Sequence, residues 1–252
     1  MNNTRIISRL DIKGENLIKT VRFEGLRKVG KPADAATKYY NDGIDELILM
    51  DIVASLYQRN NLHNILSLAA KNIFVPITAG GGVKSLKDAQ TLLRSGADKI
   101  AINTEAIKNP NVISNIAEHI GSQAVVLSIE AKKINDNMWN AYIDNGREET
   151  NRSVVEWALE GERLGAGEIL LTSIDKEGTR SGFDVELVKN VSTAVSIPVI
   201  ACGGMKDYQS LVDVVNIGFA DAVAMSDCLH FNRLTIENIK KNATKLGVQV
   251  RI

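Results

Sequence analysis

The sequence predicts an α/β protein of the (β/α)8 class, made of two duplicated half-barrels that form a single barrel domain over residues 1–252. Three observations lead to this prediction. Short apolar runs alternate with helical periodicity along the chain. The second half repeats the first at an offset of 122 residues. A length of 252 residues is also ordinary for one closed α/β barrel.

Eight short runs rich in Val, Ile and Leu are typical of buried parallel strands. They span residues 5–11, 46–51, 74–79, 98–103, 124–130, 168–173, 197–202 and 221–226. Amphipathic helical patterns lie between them, for example at residues 32–41, 86–95, 154–164 and 211–216, and several end at a glycine. A unit of four strands that is doubled to eight favours closure into a (β/α)8 TIM barrel over an open sheet.

A glycine pair follows an apolar strand in each half of the chain. Residues 76–84, PITAGGGVK, reappear as residues 198–206, PVIACGGMK, and Gly43 and Gly165 keep the same offset. Such pairs allow backbone N–H groups to approach an anion without hindrance from side chains. Two of them indicate a ligand with a phosphate at each end, although ordinary strand-to-helix turns also use glycine.

The overall charge is balanced, with 30 Lys plus Arg against 30 Asp plus Glu. This balance argues against nucleic acid or an anionic membrane as a partner. No run reaches the roughly 18 to 20 apolar residues of a membrane span, so a cytoplasmic protein is expected. Cys202 and Cys228 lack the spacing of a metal site, and we expect neither a metal nor a cofactor.

Two connections are longer than the others and are expected to act as lids on the C-terminal face of the barrel. Residues 12–31 follow the first strand, and residues 131–150 follow the fifth. The segment 138–146 in the second connection has the pattern of a small hairpin.

Two carboxylates, Asp11 and Glu130, stand at the predicted ends of strands 1 and 5 and would face each other across the barrel mouth. Opposed carboxylates can serve as general acid and base when their environments separate their pKa values. The alternative is structural: each acid would cap a helix or pair with a lysine such as Lys13 or Lys132.

A second charged set begins four of the strands, at Arg5, Glu46, Lys99 and Glu168. Two positive and two negative side chains can satisfy one another as a ring inside the barrel. Such a ring would either plug the bottom of the barrel or form a gate around an axial passage.

Taken together, these motifs resemble the HisF family, the cyclase subunit of imidazole glycerol phosphate synthase. The matching segments are residues 5–7, 10–13, 43–47, 51–55, 80–82, 96–99, 102–104, 121–126 and 165–175. The resemblance implies that a HisH-like glutaminase docks on the N-terminal face of the barrel. Ammonia would then pass up the barrel to a bisphosphorylated ribulosyl intermediate.

Residue by residue, the resemblance implies a role for each matching position. Arg5, Glu46, Lys99 and Glu168 correspond to the family's ammonia gate, Asp98 to the partner interface, Lys19 to the mobile first loop, and Asp11 and Glu130 to the catalytic pair. The phosphate-binding positions are Gly82, Asn103, Thr104, Gly178, Gly203, Gly204 and Ser226.

Four departures from the family pattern lie at the C-terminal end. Glu130 and Glu177 replace aspartates, Arg9 replaces a cysteine, and Asp227 stands where a serine would meet a phosphate. The carboxylate of Asp227 would repel the phosphate unless Arg9 or Arg180 compensates its charge. These changes predict weak or absent cyclase activity of the barrel itself.

The expectation is therefore a HisF-like paralogue that conducts ammonia to a separate sugar amidotransferase in bacterial surface-polysaccharide biosynthesis. The alternatives are an authentic cyclase of histidine biosynthesis and an isomerase barrel of the HisA type.

Overall fold

The computed structural model describes residues 3–54 and 62–251. Within them the strands are β1 (Arg5–Lys13), β2 (Asn16–Val21), β3 (Glu24–Gly30), β4 (Glu46–Asp51), β5 (Ile77–Gly80), β6 (Lys99–Ile102), β7 (Val125–Asn135), β8 (Met138–Ile143), β9 (Glu148–Ser153), β10 (Glu168–Ser173), β11 (Val199–Cys202) and β12 (Ala222–Met225).

α-Helices lie between the barrel strands but not within the runs β1–β3 and β7–β9. Those of the described residues are α1 (Pro32–Asn41), α2 (Leu62–Ala69), α3 (Leu86–Arg94), α4 (Thr104–Lys108), α5 (Asn111–Ile120), α6 (Val154–Arg163), α7 (Val185–Ser192), α8 (Tyr208–Asn216), α9 (Asp227–His230) and α10 (Ile236–Lys245). None of these helices has the length and apolar character needed to cross a membrane.

Eight parallel strands within the described residues close into a barrel, in the order β1, β4, β5, β6, β7, β10, β11 and β12. Ile7 of β1 aligns with Glu46 of β4 on one side and with Ala224 of β12 on the other. The predicted (β/α)8 TIM barrel is confirmed.

The two halves match in their element boundaries. In four pairs of elements, the first residues and the last residues are each 122 positions apart. These pairs are α1 and α6, β4 and β10, β5 and β11, and α3 and α8. The caps match as well. Ser85 accepts the backbone N–H of Asp88 before α3, and Asp207 accepts that of Ser210 before α8. The repeat seen in the sequence is therefore also a repeat of local structure.

Alternate residues of the barrel strands point to opposite faces. On β1, Ile6 and Leu10 pack against the surrounding helices in the main apolar core. Ile7, between them, belongs to a separate apolar cluster inside the barrel. Arg5, Arg9 and Asp11 share the inward face with Ile7, because they lie an even number of residues from it.

Both long connections contain antiparallel strands at the C-terminal face. β1 continues past Asp11 and pairs with β2, which pairs with β3. This hairpin was not predicted, whereas the one formed by β8 and β9 was. Asp11 and Glu130 therefore lie inside their strands rather than at the strand ends. Phe23 of the first long connection and Tyr142 of the second form a small apolar cluster with Ile174.

Candidate functional site

The four charged residues at the N-terminal ends of the strands form a closed ring of ion pairs. Arg5 Nη1 lies 2.8 Å from Glu46 Oε1, and Arg5 Nη2 lies 2.6 Å from Glu168 Oε1. Lys99 Nζ contacts Glu168 Oε2 at 2.8 Å and Glu46 Oε2 at 3.3 Å. Each cation thus bridges both carboxylates, and the predicted ring is present.

The ring is largely removed from solvent, and this makes its charge balance important. The Glu46 and Glu168 side chains are 8% and 5% exposed. Burial opposes the charge of Arg5, yet attraction by Glu168 and Glu46 outweighs it and raises the pKa of Arg5. A change that leaves one member unpaired would therefore be costly.

A cavity of about 330 Å³ opens beneath the ring on the N-terminal face. It gives small molecules access to the ring from outside the barrel. Its lining includes Asn3, Arg5, Lys99, Gln123, Glu168 and Asp221. Asp98 lies on the same face, exposed, with Oδ2 accepting the backbone N–H of Ile77 at 2.8 Å.

Above the ring, the bore of the barrel is apolar. Ile7, Ile48, Val126, Leu170 and Ile200 are all fully buried there. A neutral molecule the size of ammonia pays a far smaller desolvation cost on passing such a layer than a cation does.

Arg9 and Asp11 form a buried ion pair at the upper end of this layer. Arg9 Nε donates to Asp11 Oδ1 at 2.9 Å, and Arg9 Nη1 donates to Thr172 Oγ1 at 2.9 Å. The two residues are 2% and 1% exposed. Asp11, the predicted catalytic acid or base, is therefore engaged by a cation in this state.

Glu130, the second predicted catalytic residue, is held by the turn between β8 and β9. Its Oε2 accepts the backbone N–H of Gly146 at 2.7 Å. Burial raises the pKa of Glu130 to about 7, against the attraction of the Arg9 charge and the Gly146 hydrogen bond. Asp11 acts in the same direction as burial, so the two acids are close enough to interact. A carboxyl group with this pKa can both give and take a proton near neutral pH.

A cavity of about 450 Å³ at the barrel mouth brings Glu130 together with the first predicted phosphate subsite, Gly82, Asn103 and Thr104. Gly82 has a φ of 71°, and a Cβ there would lie 2.8 Å from that of Ala54, so glycine is required. Gly82, Asn103 and Thr104 therefore line one open cavity together with a titratable acid.

Asn103 adds an unused polar group to this subsite. Its Nδ2 donates to the carbonyl of Tyr142 at 3.3 Å. Its Oδ1 is buried and has no hydrogen-bond partner among the described residues. Thr104 Oγ1 accepts the backbone N–H of Asp144 at 3.1 Å. Buried polar atoms are rarely left unpaired, so the Asn103 acceptor oxygen needs an N–H or O–H donor from a water molecule or a ligand.

The second predicted subsite is nearly closed. Gly178, Gly203, Gly204 and Ser226 line a cavity of only about 20 Å³. The hydroxyl of Ser226 donates to the carbonyl of Arg9 at 2.9 Å instead of facing open space.

Lys19, expected on a mobile loop, is on β2 and buried, where it pairs with Glu177. Burial opposes its charge, but attraction by Glu177 and Asp11 prevails and raises the pKa of Lys19. In this state the β2–β3 hairpin lies against Glu177 and Gly178, over the second subsite.

Asp227 is neutralised by residues that the sequence interpretation only partly identified. Its Oδ1 lies 3.1 Å from Arg233 Nε and 3.8 Å from Arg180 Nε. Arg180 was expected to compensate the charge, and so was Arg9, which pairs with Asp11 instead. Arg233 was not identified from the sequence. It lies six residues after Asp227, just beyond the short helix α9, and this spacing could have indicated an ion pair between the two side chains.

Comparison with known proteins assigns the family. A profile of the histidine biosynthesis protein family matches residues 5–235. The imidazole glycerol phosphate synthase subunit HisF of Legionella pneumophila is 64% identical over 205 residues, which cover 81% of this chain and 97% of the relative.

The chain belongs to the HisF family.

Further HisF relatives extend the match along the chain. The subunit from Bacillus cereus (strain G9842) is 41% identical over 248 residues, 98% of both chains. That of Streptococcus sanguinis (strain SK36) is 40% identical over 252 residues, the full length of both. These relatives support the cyclase alternative, and none of them carries a name that refers to sugar amidation.

Proposed function

We propose that this HisF-family chain is the ammonia-using cyclase subunit of an imidazole glycerol phosphate synthase. One observation carries the proposal. The same bore has a closed ion-pair ring at its N-terminal end and, at its C-terminal end, an open cavity with Glu130, whose pKa is about 7. An enzyme that receives ammonia at one end and uses it at the other needs both features.

The lower end is the site at which ammonia enters. A HisH-like glutaminase docked on the N-terminal face would release ammonia into the cavity beneath Arg5 and Lys99. The ring must separate to let it pass, and the apolar layer then favours neutral ammonia over ammonium. The exposed carboxylate of Asp98 lies on the same face and is proposed to contact the glutaminase.

At the mouth, a phosphorylated acceptor would bind with one phosphate at Gly82, Asn103 and Thr104. Its other phosphate would lie near Gly203 and Ser226, where the β2–β3 hairpin must open to admit it. Backbone N–H groups beside glycines with positive φ supply the donors for phosphate oxygens. The family's bisphosphorylated ribulosyl intermediate has the charge at both ends that this arrangement requires.

Glu130 would act as the acid or base on the bound acceptor, since burial places its pKa near the working pH. It faces the cavity, and Gly146 fixes one of its oxygens. Asp11 would supply the second proton transfer once its ion pair with Arg9 separates.

A second function is favoured by the ion pair that engages Asp11 and by the closed second subsite. In this alternative the barrel performs no cyclisation. It only conducts ammonia from the glutaminase to a separate sugar amidotransferase in surface-polysaccharide biosynthesis. Arg9 would then be a permanent part of the bore, and Asp11 would not take part in proton transfer.

Co-expression with a HisH-like glutaminase tests the proposal. We expect a stable 1:1 complex on size-exclusion chromatography that forms imidazole glycerol phosphate from the ribulosyl substrate and glutamine. A complex that hydrolyses glutamine without forming this product would support the conduit function. Separate elution of the two proteins at micromolar concentration would contradict both functions.

A further inference from the structure

Arg9 spans the bore of the barrel immediately above the apolar layer. Its guanidinium reaches Asp11 on its own strand, Thr172 Oγ1 on β10 at 2.9 Å, and Cys202 Sγ on β11 at 3.7 Å. In the barrel order, β11 and β12 separate β10 from β1. The side chain therefore crosses the interior rather than lying along the wall.

The Arg9 side chain is almost fully shielded from solvent. The residue is 2% exposed, and the ring of Phe23 from the β2–β3 hairpin lies 5.7 Å from its guanidinium carbon. Glutaminase-derived ammonia that leaves the apolar layer meets this charged group at the level of Thr172, whose register partner on β7 is Glu130. In the present state the bore has two charged barriers, the ion-pair ring below and Arg9 above.

Arg9 also borders the open cavity at the mouth, beside Gly82 and Glu130. Its contacts with Thr172 and Cys202 are hydrogen bonds to neutral groups, and among the described residues its only ion pair is with Asp11. A phosphate or other multiply charged anion in the cavity offers a guanidinium stronger, bidentate bonds. An anionic ligand thus competes directly with the contacts that hold Arg9 across the bore.

We propose that Arg9 is a movable plug: it closes the bore while it is bound to Asp11 and Thr172, and it turns toward an anionic ligand in the mouth cavity. This single movement would open the ammonia path and free the Asp11 carboxylate together. Arg9 is then a positioning residue that couples acceptor binding to the arrival of ammonia. The coupling rests on the proposed function, whereas the movement itself can be tested without it.

The test follows the Nε–H of Arg9 by NMR in the full-length chain uniformly labelled with ¹⁵N, with the signal assigned by its loss in Arg9→Lys. Inorganic phosphate is the anion probe, and backbone amide shifts of Gly82 and Thr104 report its binding in the mouth cavity. We expect the buried Nε–H signal of Arg9 to shift and to lose its protection from solvent exchange as those amides titrate.

Thr172→Val supplies a matched variant, because it removes one anchor of the plug and leaves both Arg9 and Asp11 in place. The phosphate concentration that half-releases Arg9 should fall roughly fivefold, the equivalent of one ordinary hydrogen bond. The variant Ser8→Val also replaces a buried hydroxyl, one that has no partner among the described residues, and should leave that concentration unchanged.

Two results would overturn the proposal. One is saturation of the Gly82 and Thr104 shifts with no change at Arg9. The other is the absence of any phosphate response in this cavity. A plug that moves in a protein without cyclase turnover would contradict the proposed function while leaving the movement of Arg9 established.

Discussion

Arg9 and Asp11, two residues apart on β1, form a buried ion pair in which Nε donates to Oδ1 at 2.9 Å. Strand geometry places both side chains on the inner face of the barrel. The pair lies between the top of the bore and the mouth, and it engages the carboxylate that the sequence predicted to be catalytic. Glu130, by contrast, has no ion-pair partner among the described residues, and its pKa is raised to about 7.

Glu130 should make stability fall as the pH rises. Its folded pKa of about 7 lies above its ordinary value of 4.5, because burial disfavours the charged form. The contribution of protonated Glu130 to the free energy of unfolding is therefore fully present below pH 4.5 and is lost as the pH rises to about 7. Relative to Glu130→Gln, the wild type should lose on the order of 3 kcal/mol of unfolding free energy between pH 4.5 and 8.

Urea unfolding of both proteins at several pH values measures this difference. Glutamine keeps an oxygen that can accept the Gly146 N–H, so the packing is matched. A constant difference between the two proteins across this range would show that Glu130 ionises with an ordinary pKa.

Glu168→Gln should uncouple glutamine hydrolysis from amination. It leaves Arg5 and Lys99 with Glu46 as their only carboxylate partner in the ring, so the ring loses its charge balance. Breaking a fully buried pair costs roughly 3 to 5 kcal/mol. The cost here should be smaller, since the Arg5 and Lys99 side chains are 23% and 19% exposed.

The measurement is the fraction of ¹⁵N from amide-labelled glutamine that enters product in the presence of unlabelled ammonium. Lys240→Met is the matched control, because it breaks the ion pair with buried Asp45 outside the bore. A lower ¹⁵N fraction is expected for Glu168→Gln alone. Equal fractions in the two variants and the wild type would refute the gate assignment.

Asp227→Ser should strengthen ligand binding at the second subsite. Asp227 pairs with Arg233 and Arg180, and its removal frees both guanidinium groups for a phosphate. We expect KM for the ribulosyl substrate to fall about tenfold or less, with a small change in kcat. A KM that is unchanged or higher would show that Asp227 does not oppose the phosphate.

Phe74→Ser should weaken docking of the glutaminase. Phe74 is 79% exposed at the N-terminal end of β5, with its ring edge-on to Tyr40 at 6.2 Å. Buried aromatic anchors commonly contribute about 1 to 2 kcal/mol or more to an interface, so Kd should rise roughly tenfold.

Calorimetric titration with the glutaminase measures the change. Leu159→Ser on α6, a partly exposed apolar residue on the outer wall, is the control and should bind like the wild type. Equal affinity of both variants would place the interface elsewhere.

The sequence predicted the barrel well, because its strands are continuous apolar runs and its halves repeat. β4, β10 and α1 have the boundaries that the patterns indicated. The β2–β3 hairpin was missed because its outer strand β3 is exposed or half-buried throughout and carries no apolar alternation.

The ion-pair ring could be predicted because its four charged residues each begin a strand. The partners of Arg9 could not be predicted in this way. Thr172 and Cys202 lie more than 160 residues from Arg9 in the chain, and only closure of the barrel brings them together. The raised pKa of Glu130 likewise depends on burial beneath the turn that contains Gly146, which no local pattern reveals.

The most direct test of the central claim is steady-state turnover of the ribulosyl substrate by the barrel alone, with saturating ammonium at a pH high enough to supply free ammonia. We expect imidazole glycerol phosphate to form at about 1 per second or faster, the ordinary range for enzymes, and turnover to fall at least about a hundredfold in Glu130→Gln. Wild-type turnover no higher than that of Glu130→Gln would contradict the cyclase function and leave the barrel as a conduit.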